Sequence, residues 1–336
     1  VVQAVELTKQ RARPGSEDPA RGRAPGRRPT LSAEVARRRR PWVLMFLAPA
    51  ILLYSVLTIY PLVTGLSYSF FSWHGTTRDA FIGLGNYKAL FTTYPLNEQL
   101  PGAVLNTCLY FVGAMLVQNT VGLLLAALLH HTRRGRQFFR TLYLMPYLIS
   151  PIVVAYLWAM ILSPSFGPLA AFLEWANLDA LNHPWLGDTS TALPTLVLIS
   201  AWQWLGFPML LFGTAMAGIP DEYYQAAQLD GASEFAAFWH ITRPLLVPVM
   251  GIVTVLTFIG NFGTGAFGLV FGLEGSNGGP AGSTDNLALV FYRTAFMGGG
   301  NGIGIASALS VLMFVLIVGV AMGINRITRA AEERLS

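Results

Sequence analysis

The segment GIPDEYYQAAQLDGASEFAAFWHITRP, residues 218–244, carries Asp221, Glu222, Asp230 and Glu234 against one base, Arg243, and it separates two long uncharged apolar runs, about 193–217 and 246–271. Each run exceeds the ~20 residues that cross a hydrocarbon core of about 30 Å as a helix. Working outward, four more such runs appear, at about 42–70, 103–129, 142–163 and 303–324, and none of the six contains Asp, Glu, Lys or Arg. Of the 336 residues 53% are apolar and 12% charged, where a soluble domain carries about twice that charged fraction. The solvent for most of the chain is lipid, and the expected fold is all-α and polytopic, with about six transmembrane helices. The first run follows Arg37, Arg38, Arg39 and Arg40 but is far longer than the apolar stretch of a signal peptide.

Direction follows from Lys and Arg near the helix ends. With both termini cytoplasmic, the inner segments hold eleven of these residues at 1–40, four at 130–141, one at 218–244 and three after 325; only Arg78, Lys88 and Arg293 fall outside. The expected organisation is a disordered basic cytoplasmic tail (1–40), a membrane domain (41–326) and a short cytoplasmic C-terminal tail (327–336). The first tail is rich in Arg, Pro and Gly, with too little apolar surface to offset ordering. It reads as a topology signal beside anionic lipid, not as a nucleic-acid arm. The outer segments, about 71–102, 164–192 and 272–302, contain the turn signals Ser163-Pro164, His183-Pro184 and Gly278-Gly279-Pro280 and read as irregular caps. Gly298-Gly299-Gly300 before the last span reads as loop flexibility, or as a place where backbone packs closely.

Within the acidic loop, Pro220 suits the first turn of a helix, Asp221 and Glu222 lie at its positive end, and Gly231 tolerates the positive φ that ends it. Ser233 is a plausible N-cap for a second short helix reaching His240. Tyr223, Ala226 and Ala227 form an apolar edge on the first helix, and Phe235, Phe238 and Trp239 on the second. A helix resting on anionic lipid presents Lys and Arg, whereas this loop has a net charge of about −3 where positive charge is the rule. That sign favours a protein partner.

Several chemistries are excluded. Cys108 is the only cysteine and the five histidines are scattered, so neither an intramolecular disulfide nor a metal cluster is expected. Zinc or serine hydrolase motifs are absent. A phosphate-binding loop needs Gly-Lys-Ser or Gly-Lys-Thr, yet the lysines, Lys9 and Lys88, follow Thr8 and Tyr87. If transport is driven by ATP, another polypeptide hydrolyses it. Proton-coupled carriers need an intramembrane carboxylate or His, which these spans lack; sodium coupling through carbonyls stays open but does not call for an acidic docking loop.

The loop resembles the signature of binding-protein-dependent ABC importer permeases: Glu-Ala-Ala, three residues, Gly, nine residues, Ile, one residue, Leu-Pro. Gln225-Ala226-Ala227, Gly231, Ile241 and Pro244 fall at those spacings, with Gln225 in place of Glu and Arg243 in place of Leu. Over about 42–325 the chain is most similar to the sugar branch, especially the larger maltose-type subunit. The matching stretches are Phe81-Ile82-Gly83-Leu84-Gly85-Asn86-Tyr87, Asn106-Thr107, Gly135-Arg136-Gln137-Phe138-Phe139-Arg140, Pro184-Trp185-Leu186, Trp204-Leu205-Gly206-Phe207-Pro208 and Asn277-Gly278-Gly279-Pro280.

The resemblance implies a MetI-like core in the bacterial inner membrane, importing carbohydrate or another small solute such as a polyol or glycerol phosphate. It implies that Glu222, Gln225, Ala226, Ala227, Asp230, Gly231, Ile241 and Pro244 couple to an ATPase. It also implies partners: a second permease subunit, a cytoplasmic ATPase dimer holding ATP and Mg, and an extracytoplasmic solute-binding protein. No cofactor is expected in this chain. By position it suggests Leu205, Gly206, Met209, Thr257, Gly260, Asn261 and Thr264 for the substrate pathway. Gln203, beside Trp202 and Trp204, adds an amide near the same level, a pairing that suits sugar hydroxyls and apolar sugar faces.

Overall fold

The computed structural model describes residues 45–132, 134–263 and 265–333; the tail expected at 1–40, and Thr264, lie outside the described residues. In lipid every backbone N–H and C=O must be paired within the protein, so uncharged apolar runs become helices. α1 is Met45–Tyr68. A hairpin follows, β1 (Phe71–His74) and β2 (Thr77–Phe81), then α2 (Gly85–Thr92). The hairpin qualifies the all-α expectation, although the chain is otherwise mostly helical. α3 is Leu96–His130 and includes a wider π-helical turn at Met115–Asn119. Among the described residues, those up to Pro61 form one unit and those from Leu62 onward another; the packing below is that of the second.

Three of the expected spans are broken. Over 142–163 the sequence predicts one helix, but α4 (Arg136–Leu144), extended by a tight turn to Leu148, meets α5 (Pro151–Ile161) at 96°. Pro151 forces Ser150 out of the helical region, to ψ 133°. α6 is Pro168–Trp175, and α7 (Ala192–Trp204) meets α8 (Gly206–Met216) at 47°. Pro208 has no N–H for the carbonyl of Trp204, so the break falls there. The loop forms α9 (Asp221–Leu229) and α10 (Glu234–Leu245), and α10 meets α11 (Val247–Phe262) at 66°. The fifth span therefore ends near Gly263, not at 271, and α12 (Phe267–Glu274) is a separate helix. After α13 (Leu287–Met297), α14 runs from Gly302 to Glu332, so helix continues through 327–332. The count of six spans holds when each bent pair is one span.

Small residues let these helices close up. Gly122 of α3 lies under Pro208 and Met209 of α8, and Gly113 lies under Val197 of α7. α11 packs on α14, and α12 on α5. One buried cluster joins Val154, Leu196, Ile199, Leu269 and Leu289; another joins Ala126, Met209, Phe212, Met216, Leu246 and Val253.

At the end of the bundle away from 218–244, buried amides tie the irregular segments down. Asn86 donates to the carbonyls of Ser69 and Phe71 at 2.9 and 2.8 Å and accepts from Asn301 at 2.7 Å. Gly299 and Gly300 adopt positive φ, and the Gly300 carbonyl accepts from Gly75. That triplet is used for backbone geometry. Asn106 donates to the carbonyls of Gly282 and Asp285, and Thr107 accepts from the Leu287 N–H. Arg293 donates to Asp285 Oδ1 at 2.9 Å and to the Ser276 carbonyl at 2.6 Å, with side chains only 14% and 7% exposed for Arg293 and Asp285. Glu274, half-buried, leaves Oε1 without a hydrogen bond among the described residues, and desolvation pushes its carboxyl up to about 7.

Two outcomes follow. Removing one partner of a buried pair strands the other, so Arg293→Met should destabilise by about 3–5 kcal/mol, and adding Asp285→Leu should recover much of that in thermal denaturation of the purified complex. For Glu274 the folded state favours the neutral acid. Its contribution to stability is present below the unfolded carboxylate range and is lost as pH rises through about 7. Glu274→Gln should flatten the pH dependence of the melting temperature between about 5 and 8; an unchanged profile would refute this.

Candidate functional site

The bend in the loop is made by two caps back to back. Gly231, at φ +77°, donates to the carbonyl of Gln228, and Ala232 donates to that of Ala227, the paired bonds of a Schellman stop. Two residues on, Ser233 Oγ accepts the Ala236 N–H at 3.2 Å and starts α10. Tyr224 and Thr242 share a hydroxyl–hydroxyl bond of 2.9 Å that braces α9 against α10. Phe238 packs into the cluster of Met209, Phe212, Met216 and Leu246. The loop is thus fixed to the ends of α8 and α11.

Its outer face is apolar: Leu229 is 90% exposed, Phe235 72% and Tyr223 55%. Glu222, Gln225, Ala226, Asp230 and Gly231 are exposed on the same segment, and Ile241 and Pro244 are half-buried. Ala227, read from its spacing as part of the outward edge, is half-buried and lines a cavity of about 430 Å³ between α9, α10 and His130 of α3. Tyr224 lines it too and was not singled out in the sequence. Its position three residues before Ala227, on the same helix face, was the available signal.

A second cavity, about 230 Å³, lies within the bundle. One wall is aromatic: the Tyr147 ring stacks on Phe207 with centroids 5.6 Å apart and meets Trp204 edge-on at 5.3 Å. The opposite wall is α11, which supplies Thr257, Gly260 and Asn261. Asn261 Nδ2 is buried with no hydrogen-bond partner among the described residues. Tyr110, Gln118 and Ser200 add to the polar lining, and among the described residues no charged side chain contributes. Gln118 lies in the π-helical turn of α3 and is buried.

The pathway residues suggested by position therefore separate. Thr257, Gly260 and Asn261 share the cavity. Gln203 is fully buried and donates to the Ile149 carbonyl at 3.0 Å. Gly206 is pressed against the backbone of Tyr143 and Leu144, and Met209 is buried against the loop. Leu205 sits at the α7–α8 break and does not line the cavity. Tyr147 and Phe207 were missed as lining residues because their contribution depends on the two helix breaks.

Comparisons with known proteins agree with this architecture. Residues 118–328 match the family model described as binding-protein-dependent transport system inner membrane component. A probable ABC transporter permease protein, YurN of Bacillus subtilis, is 34% identical over 292 residues, 86% of this chain and 96% of the relative. The multiple sugar-binding transport system permease protein MsmF of Streptococcus mutans is 28% identical, over 82% of this chain and 91% of that protein. A bacterial ABC transporter that imports the acidic polysaccharide alginate has a chain of the same fold, with a TM-score of 0.74 at 24% identity, covering 88% of this chain and 98% of that one. The chain belongs to the family of inner-membrane permease components of binding-protein-dependent ABC importers.

Proposed function

We propose that this chain is one of two permease subunits of an ATP-driven importer of neutral carbohydrate, oriented with both termini in the cytoplasm. In this reading the cavity between Tyr147, Phe207 and Asn261 is part of the sugar pathway. A cytoplasmic ATPase dimer docks on 218–244, and an extracytoplasmic solute-binding protein delivers the substrate. The sugar named for MsmF, a relative 28% identical, supports the class. The observation that carries it is the cavity itself, which among the described residues combines stacked aromatic rings, an amide donor lacking a partner and no charge. Rings suit the apolar faces of sugars, and an unpaired amide suits a hydroxyl. A phosphate ester would need a cationic group, so glycerol phosphate fits this lining poorly.

Coupling follows from connectivity. The braced loop is packed through Phe238 against Met209 and Phe212 of α8 and Leu246 at the start of α11. Those same two helices carry Phe207 and Asn261 to the cavity. Force applied to the exposed face at Tyr223, Leu229 and Phe235 therefore reaches both cavity walls through packed side chains. ATP and Mg belong to the partner, and this chain's part is to dock and to move.

Gly231→Val tests the coupling. Nothing lies within 4 Å of an added Cβ, so the cost is conformational, roughly 1–2 kcal/mol for an L residue in the left-handed region. Uptake should fall relative to ATP hydrolysis in proteoliposomes of the whole complex, and Gly231→Asn should be milder. Unchanged assembly and transport in Gly231→Val would end the assignment. For the pathway, Asn261→Leu should raise the uptake KM up to about tenfold, the effect of one hydrogen bond, and leave ATPase association intact. Identical uptake kinetics across several sugars would count against the site.

A further inference from the structure

Gly251 of α11 faces Thr328 of α14, so tightly that a Cβ on Gly251 would collide with the threonine side chain. A groove of about 440 Å³ runs along one flank of this helix pair and includes that contact in its lining. One stretch of it is apolar and uncovered: Ile252 is 55% exposed, Leu256 41%, Val318 37% and Met322 54%. The other end carries Asn325, Thr328 and Arg329. Among the described residues, no acidic side chain lines the groove and Arg329 has no carboxylate partner.

The polarity of the groove is that of an amphiphile. From Val318 to Arg329 the helix rises roughly 16 Å at 1.5 Å per residue, about half of a ~30 Å hydrocarbon core and hence the depth of one leaflet. Basic pockets between spans at the cytoplasmic surface select anionic headgroups. On the other flank of α11, Arg243 is engaged over the Trp239 ring at 4.7 Å, which leaves Arg329 as the freer cation.

We propose that this groove is a binding site for an anionic phospholipid, with an acyl chain along Ile252, Leu256 and Met322 and the phosphate at Arg329, Thr328 and Asn325. The inference rests on the orientation proposed above only for naming the inner leaflet. Protease access to a C-terminal tag in spheroplasts reads that orientation separately.

The test is native mass spectrometry of the assembled importer, purified and then exposed to vesicles of phosphatidylglycerol or phosphatidylcholine. Preferential retention of phosphatidylglycerol is expected. Arg329→Ala should weaken it about fivefold, the effect of one basic residue near a lipid surface. Met322→Trp, which fills the groove and keeps the cation, should reduce retention of the same lipid. Equal retention of both lipids, or retention unaffected by either variant, overturns the proposal. So does a Met322→Cys variant that crosslinks efficiently to the second permease subunit, which would mean that protein covers the groove.

Discussion

The hydrogen bond from Gln203 to the carbonyl of Ile149 is the contact on which the middle of the bundle depends. A helix broken within a membrane exposes backbone groups that lipid cannot satisfy, so each break survives only where another part of the protein supplies a partner or shields it. The 96° turn between α4 and α5 frees the Ile149 carbonyl, and the Gln203 amide, itself fully buried, takes it up. Gly206 allows α8 to press on the backbone just before that turn. Without those two residues, α4 and α7 could not approach closely enough for Tyr147 to stack on Phe207 and meet Trp204. The aromatic wall is therefore a product of two helix breaks that stabilise one another.

The same logic connects the loop to the cavity. A coupling element must be rigid in itself and exposed on one side. Rigidity comes from the Schellman stop at Gly231, the cap at Ser233 and the Tyr224–Thr242 bond, all of which are local. Exposure comes from Leu229, Phe235 and Tyr223, whose apolar surfaces stay largely uncovered among the described residues. Each such side chain left in water forgoes roughly 1.5–3 kcal/mol of burial free energy, and docking recovers it.

Much of this was legible in the sequence because its causes are local. Uncharged length marks the spans, and the proline–acid start with its glycine stop marks α9. The loop's sign stands out against positive-inside expectation. The breaks were harder to read. Pro151 and Pro208 were visible, but apolar runs through them still looked continuous, because hydropathy is blind to direction. The buried clasps at Asn86 and at Asn106-Thr107 appeared as matching stretches without a stated role. Their partners lie about 15–215 residues away in sequence, and only folding brings them together.

A polar side chain within a span is more often a fastener than a ligand, and the way to tell them apart is to ask which of them is already paired. Asn106, Asn119, Thr107 and the amide nitrogen of Gln203 all have protein partners. Removing any of them would damage the fold before it touched transport. Asn261 differs: its Nδ2 is buried, lacks a partner among the described residues, and belongs to a residue that lines a cavity. Trp158 Nε1 and Gln203 Oε1 are also unpaired among the described residues, but neither residue lines that cavity. An unsatisfied buried donor costs about 1–3 kcal/mol, a cost the fold can carry where a passing ligand relieves it. A pathway that must bind weakly and release is well served by a donor of this kind, because the gain on binding is one hydrogen bond and not a charge.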